Sequence, residues 1–185
     1  MSVCVCVCVC SVAICTDRSL LIQQNDGSVF FNRPWADYKV GFGQPSGNYW
    51  LGNDRLSQLT ANYSYKLRFD LQQNGTGNWY YAEYSTFRVL SEADNYTLQV
   101  GGFSGNASYD TLGLHHNGEK FSTFDRDNEK WSRNCAAYFG GGFWYRACGQ
   151  CFVNGARGTD RFYWWDRDLP GGHRLQLSRM WLQCK

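Results

Sequence analysis

From about residue 101 to residue 172 this chain carries few alternating apolar runs, only Gly- and polar-rich stretches broken by Cys and aromatic residues. That feature narrows the folds open to it. Irregular backbone of such length is uncommon in a compact domain unless disulfides, metals or a binding function hold it, so this half is where the chemistry is expected. The earlier half reads differently. Tyr65, Leu67, Phe69 and Leu71 alternate with Lys66, Arg68 and Asp70, the period-two pattern of a half-buried strand. Trp79 to Leu90 and Tyr96 to Val100 have similar aromatic and β-branched content, and Leu175, Leu177 and Met180 predict a closing strand within His173 to Leu182. With 20 Gly, 3 Pro and 17% aromatic residues, 185 residues suit one loop-rich domain containing β-sheet and exclude a helical bundle.

Local signals fill in the rest. LLIQQNDGSVFF contains two strand-like runs about Asp26-Gly27, which predicts a hairpin. Pro34 opens RPWADYKVGFG, where Trp35, Tyr38 and Val40 predict a short core-facing helix ended by Gly41 and Gly43. Asn53 to Asn62 predicts a second helix with Leu56 and Leu59 on one face and Asn53 or Asp54 as cap.

The formal net charge of +2 comes from interspersed charges, with no basic block for nucleic acid or anionic lipid, and no segment is long and apolar enough to predict membrane insertion. Enzyme chemistry has little to work with: there are three His, of which His115 and His116 sit in a Gly-rich stretch and His173 beside two Gly, all read as turn residues, and no nucleophile motif. Four N-x-S/T sequons, at Asn62, Asn74, Asn95 and Asn106, exceed the roughly one or two expected by chance from thirteen Asn and point to a glycosylated, secreted chain.

The nine Cys form two groups. Cys4, Cys6, Cys8 and Cys10 alternate with Val in MSVCVCVCVC, as codons read from a GT repeat would, and Cys15 follows. Residues 1–18 are therefore set apart as a leader, an artefact of the gene model or a weak signal peptide ending at Ser11-Val12-Ala13, and residues 19–185 as the domain. In the second group, Cys135 and Cys148 bracket CAAYFGGGFWYRAC; a bridge there would stabilise by about 3 kcal/mol in the chain-entropy model and hold a rigid loop. Whether Cys151 and Cys184 pair is left open. Just before, FSTFDRDNEKWSRNC places Asp125, Asp127 and Glu129 at every second position. Hard oxygen ligands so spaced suit Ca²⁺, although Lys130 and Ala136 at its sixth and twelfth positions exclude an EF-hand; a solvated acidic turn balanced by Arg126 and Lys130 is the competing explanation.

WADYKVGFG, YWLGND, LTAN with a strand Y-x-L-R-F-D after it, FSTFDRDN, NCA, GFWYRAC and VNG together resemble, in order, the fibrinogen carboxy-terminal domain family. The resemblance runs from about Leu20 to the end, with tenascin-, ficolin- and angiopoietin-like textures, and the Val/Cys tract stands where the family's amino-terminal subdomain would be. It implies an α+β fold, a twisted antiparallel sheet with short helices plus a loop-rich calcium-binding and ligand subdomain. It also implies a Cys135–Cys148 disulfide and a Ca²⁺ site of Asp127 and Glu129 with the carbonyls of Trp131 and Arg133; Glu129 stands where Asp is usual and adds about 1.5 Å of reach. Asp125 matches an outer acidic position that supports the loop. The family's ligand pocket would be lined by Phe139, Tyr145, Cys148, Gly149 and Asp160, with Gly149 standing where acetyl-binding members carry His. The implied function is a secreted, calcium-dependent module binding glycans, as in ficolin-like lectins of innate immunity. The alternative is a matrix or signalling module that binds protein, as in tenascins and angiopoietins. Oligomerisation is not inferable from the chain.

Overall fold

The computed structural model describes residues 15–16, 19–62, 64–107, 109–156, 161–165 and 174–185. The Val/Cys tract, His173 and Asp160 lie outside the described residues. In chain order the strands are β1 Cys15–Thr16, β2 Ser19–Asn25, β3 Phe42–Gly43, β4 Tyr49–Trp50, β5 Tyr65–Gln73, β6 Trp79–Val89, β7 Leu98–Gly105, β8 Cys151–Phe152, β9 Tyr163–Trp164 and β10 Leu175–Cys184. The helices are α1 Trp35–Val40, α2 Asn53–Asn62, α3 Thr111–His116 and α4 Cys135–Phe139. This is the α+β architecture expected, with one large antiparallel sheet ordered β3-β4-β2-β10-β5-β6-β7 and β1 beside β2.

The last strand is central. β10 pairs with β2 on one side and β5 on the other, so the two ends of the described chain meet in mid-sheet. Alternation decides which face is covered: Tyr65, Leu67, Phe69 and Leu71 on β5 and Met180 and Leu182 on β10 are buried, whereas Lys66 is exposed and Arg68 and Asp70 half-exposed. α2 has the predicted range, buries Leu56 with Leu59 partly covered, and is tied to β6 by the Thr60 hydroxyl, which donates to Leu56 O and accepts from Val89 N at 3.0 Å.

Two local predictions fail for stated reasons. No hairpin forms at Asp26-Gly27, because Asn25 and Asp26 turn their own side chains onto the amides of Gly27 (2.8 Å) and Ser28 (3.0 Å). The Asx turns divert the chain into a 3-10 helix at Val29–Phe31, and the strand partners of Gln23 and Gln24 are β4 and β10 instead. In α1, Trp35 and Tyr38 are buried as expected, but Val40 is 60% exposed, since the helix ends there before completing a second turn against the core.

The loop-rich half is fastened to the sheet by buried side-chain amides. The two protons of Gln23 Nε2 are shared among Val153 O and Asn154 Oδ1, both at 3.0 Å, and Ser178 Oγ at 2.9 Å, and the Ser178 hydroxyl donates to Val153 O. Asn25 Nδ2 reaches Val153 O and Gly155 O at 2.9 Å. Above this network Tyr38, Trp50, Phe121 and Trp144 form a continuous ring cluster with neighbouring centroids 5.1 to 6.1 Å apart. Asn25→Leu strips two buried carbonyls of a donor at once. A loss of about 2–4 kcal/mol is expected, read as a lowered urea midpoint.

Candidate functional site

The site region runs from α3 through β8, and its shape begins with a cap. Asn134 precedes α4; its Oδ1 accepts from Ala137 N at 2.8 Å while its Nδ2 donates to the carbonyls of Thr123 and Phe124. One side chain thus starts the helix and closes the preceding acidic loop. Asp125 fixes the other side, accepting from the Thr123 hydroxyl at 2.7 Å and from Trp35 N, the first residue of α1, at 2.9 Å. Asn128 adds a bond from its side chain to Phe121 O and one from its amide to Ser122 Oγ. These contacts tie the acidic loop to α1 and to its own backbone.

Within that frame Asp127 is exposed and Glu129 half-buried. Asp127 Oδ1 lies 3.4 Å from Glu129 N, and the Glu129 carboxylate accepts from the amides of Trp131 and Cys135. Burial raises the Glu129 carboxyl; the amides of Trp131 and Cys135 lower it, and the Asp127 charge raises it further. The nearby cations are turned away. Arg126 stacks over the Trp35 ring at 4.0 Å and bonds Asn95, while Lys130 holds both oxygens of Glu119 at 2.9 and 3.0 Å. Among the described residues, neither Asp127 nor Glu129 has a salt-bridge partner. The balance by Arg126 and Lys130 considered above is therefore not what the loop adopts. Trp131 and Arg133 follow on the same segment, their side chains facing one another with the guanidinium 5.9 Å from the indole ring.

Cys135 and Cys148 are joined, with Cα atoms 5.3 Å apart, while Cys151 is a buried free thiol and Cys184 is disulfide-bonded elsewhere, so the latter two are not partners. Inside the bridged loop Phe139 is half-buried and stacks on Phe152 with centroids 3.7 Å apart. Tyr145 lies beneath, 1% exposed, its hydroxyl donating to Gly141 O at 2.6 Å, so it supports the wall rather than presenting a surface. Cys148 and Gly149 are half-buried at the rim. Tyr38 joins this loop to the first half, donating to Phe31 O and accepting from Gly142 N, both at 2.8 Å, and burial drives its phenol well above the usual range.

His116 is the residue most misjudged from sequence. It is no turn residue: it ends α3, fully buried, with Nδ1 2.7 Å from Trp144 O and Nε2 facing the amides of Gln150 (3.2 Å) and Cys151 (3.3 Å). Two amides pointing at Nε2 place the proton on Nδ1. Its neighbour is Gly149, where φ is +128° and a Cβ would stand 2.3 Å from His116 Cε1. A side chain after the second cysteine and the buried imidazole exclude one another. The only sequence signal for this was the pairing of a lone Gly after Cys148 with a His far upstream, which no local pattern connects.

Tyr138 is 49% exposed, edge-on to Trp131 at 5.8 Å and under the Arg161 guanidinium at 5.0 Å, and Phe124 is 44% exposed. Of the sequons, Asn62, Asn74 and Asn106 are exposed, and Asn95 is half-buried with Oδ1 bonded to Arg126.

The sequence matches the family described as fibrinogen beta and gamma chains, C-terminal globular domain, over residues 9–169. It is 46% identical over 165 residues to microfibril-associated glycoprotein 4 of Bos taurus, across 86% of this chain and 60% of that protein. To ficolin-3 of Homo sapiens it is 41% identical over 133 residues, 72% of this chain and 44% of that one. The fold is similar to the fibrinogen-like globe domain of human ANGPTL6, with TM-score 0.80 and 37% identity over 90% of this chain and 78% of that one. It is also similar to lamprey fibrin D-dimer complexed with a Gly-His-Arg-Pro-amide peptide, with TM-score 0.75 and 30% identity over 90% and 61% of the two chains. The chain thus spans about 60% of the microfibril-associated relatives it matches.

Two outcomes test the buried corner. Gly149→Ala forces both a strained φ and a clash with the His116 ring, and a loss of about 2–4 kcal/mol is expected in denaturant unfolding. Burial holds His116 down at about 4, below its ordinary 6.5, so the unfolded chain takes up the proton first. Stability should be complete above about pH 6.5 and fall toward pH 4 with a slope approaching about 1.4 kcal/mol per unit. His116→Gln should remove that component of the pH dependence of the melting temperature.

Proposed function

Because this chain belongs to the family of fibrinogen C-terminal globular domains, we propose that it is a secreted recognition module that holds calcium on the Asp127–Glu129 loop and binds a protein segment beside it. One observation carries the calcium reading: among the described residues Asp127 and Glu129 have no salt-bridge partner, while Arg126 and Lys130 are committed elsewhere. The donor set fits a hard cation, with Asp127 and Glu129 as carboxylate ligands and Trp131 and Arg133 supplying main-chain oxygen. Bound calcium would supply positive charge to the loop. The chain's own part is the frame of Asn134, Asp125 and Asn128 that holds the loop's backbone in place before any ligand arrives.

The protein reading rests on the surface next to it. Tyr138, Trp131, Phe124, Arg133 and Arg161 offer exposed or half-exposed aromatic and guanidinium groups, the residue types that dominate protein interfaces. Gly149, packed on His116, leaves no side chain at the position that acetyl-binding members use. Among relatives, one is named for association with microfibrils and a lamprey fibrin structure holds a peptide, which makes a matrix protein segment the ligand class favoured here. Glycan binding is the second reading, favoured by the similarity to ficolin-3. Secretion accords with the extracellular character of these relatives and with the exposed sequons; among the described residues no helix is long and apolar enough to cross a membrane.

Millimolar Ca²⁺ should raise the melting temperature by about 5 °C or more, chelator should reverse it, and Asp127→Asn should lose most of the shift. A cooperative melt indifferent to calcium would remove the metal from the proposal. In binding assays Tyr138→Ala should weaken capture by immobilised microfibrils by about tenfold or more, whereas selective binding to acetylated glycans, unaffected by that change, would favour the lectin reading.

A further inference from the structure

A second candidate site lies on the sheet itself, on elements that play no part in the calcium loop. Arg68, Asp70, Trp79, Tyr80, Tyr81 and Arg179 line an open cleft of about 290 Å³ on β5, β6 and β10. That volume is near the lower end of the roughly 300–1,000 Å³ of small-molecule sites.

Its electrostatics are set by which partners have been taken. Arg179 stands directly across the ladder from Asp70, the carboxylate best placed to neutralise it. Both Asp70 oxygens are engaged elsewhere, Oδ1 by Arg68 Nε and Oδ2 by Trp181 Nε1, each at 2.8 Å. Arg68 is in turn committed, with Glu83 on NH1 at 2.8 Å and the Tyr81 ring 4.5 Å beneath it. Among the described residues Arg179 keeps only the Gln24 side chain on Nε at 2.8 Å and the Trp79 ring at 5.7 Å. Among the described residues no carboxylate lies within ion-pair distance of it. Its terminal amino groups therefore form an open fork of the geometry that matches a carboxylate.

Trp79 supplies the other half. It is 45% exposed, among the few large apolar side chains left in solvent, and sits at the start of β6 opposite Gln72. On the outer face of β5, β6 and β10 the basic residues Lys66, Arg68, Arg88 and Arg179 face only Asp70 and Glu83 as acids, so the surroundings favour an anion. A flat indole beside an unpaired guanidinium presents an apolar platform and a carboxylate fork side by side.

We propose that this cleft binds an acidic saccharide, with a sugar ring on Trp79 and its carboxylate on Arg179. The test uses trigalacturonate, which carries carboxylates and no acetyl group, in calcium-free buffer, so that neither the calcium loop nor an acetyl-reading pocket contributes. In NMR titrations of the full chain the Trp79 indole N–H should shift saturably, while neutral maltotriose leaves it unmoved. By isothermal titration calorimetry, which needs no reporter at position 79, Arg179→Gln and Trp79→Ala should each weaken binding about tenfold or more, with Arg179→Lys between them and wild type because the charge stays and the fork is lost. Asp127→Asn should bind as wild type does. Both variants lie on the solvent side of the sheet, and an unchanged melt would confirm their folding. No saturable shift in the wild type, or wild-type affinity retained by Arg179→Gln and Trp79→Ala, would overturn the proposal.

Discussion

Gln23, Asn25 and Ser178 do what no strand can do for this chain: they provide hydrogen-bond partners for backbone that has left the ladder. Val153 to Gly155 is buried irregular chain, and buried carbonyls without donors each cost about 1–3 kcal/mol. By placing amide side chains on the inner face of β2 and a hydroxyl on β10, the sheet becomes an anchor for the loops. Because β10 lies between β2 and β5, this anchor requires β2, near the start of the chain, to pair with β10 at its end. The site region inherits its rigidity from the sheet.

From that anchor, order passes outward through aromatic packing and a few bonds across long sequence separations. Asn154 holds Gly142, Gly142 donates to Tyr38, and Tyr38 belongs to the helix whose first amide donates to Asp125. The calcium-loop candidates and the bridged Cys135–Cys148 loop are thus two ends of one network, and a change at either is felt through shared partners. His116 completes it from behind, exchanging hydrogen bonds with Trp144, Gln150 and Cys151 in a space that Gly149 leaves open. The sheet cleft around Arg179 belongs to a different face, where cross-strand register and a few side-chain bonds between neighbouring strands hold the residues.

Much of the frame was legible in the sequence. α2 and the cores of β5, β6 and β10 follow from periodicity, since one face of each is buried and the pattern must show it. The failures share a cause. Val29–Phe31 has strand-like content but follows Asx turns that reorient it, and His116 looks like a turn residue because its partners lie 28 to 35 residues away. Propensity registers the residue and its neighbours, whereas these outcomes depend on contacts brought together by folding.

The sequence by itself determined the alternating strands, the acidic loop and the candidate bridge, because each is a local pattern of residue types, and its resemblance to a known family implied the class of fold. Only the tertiary structure decided which charges remain unpaired. Arg126 and Lys130 are adjacent to the acidic residues in sequence yet bind Asn95 and Glu119, and Asp70 faces Arg179 in the sheet yet bonds Arg68 and Trp181. An ion pair depends on distances of a few ångströms between side-chain tips, and those distances follow from register and packing rather than from position along the chain.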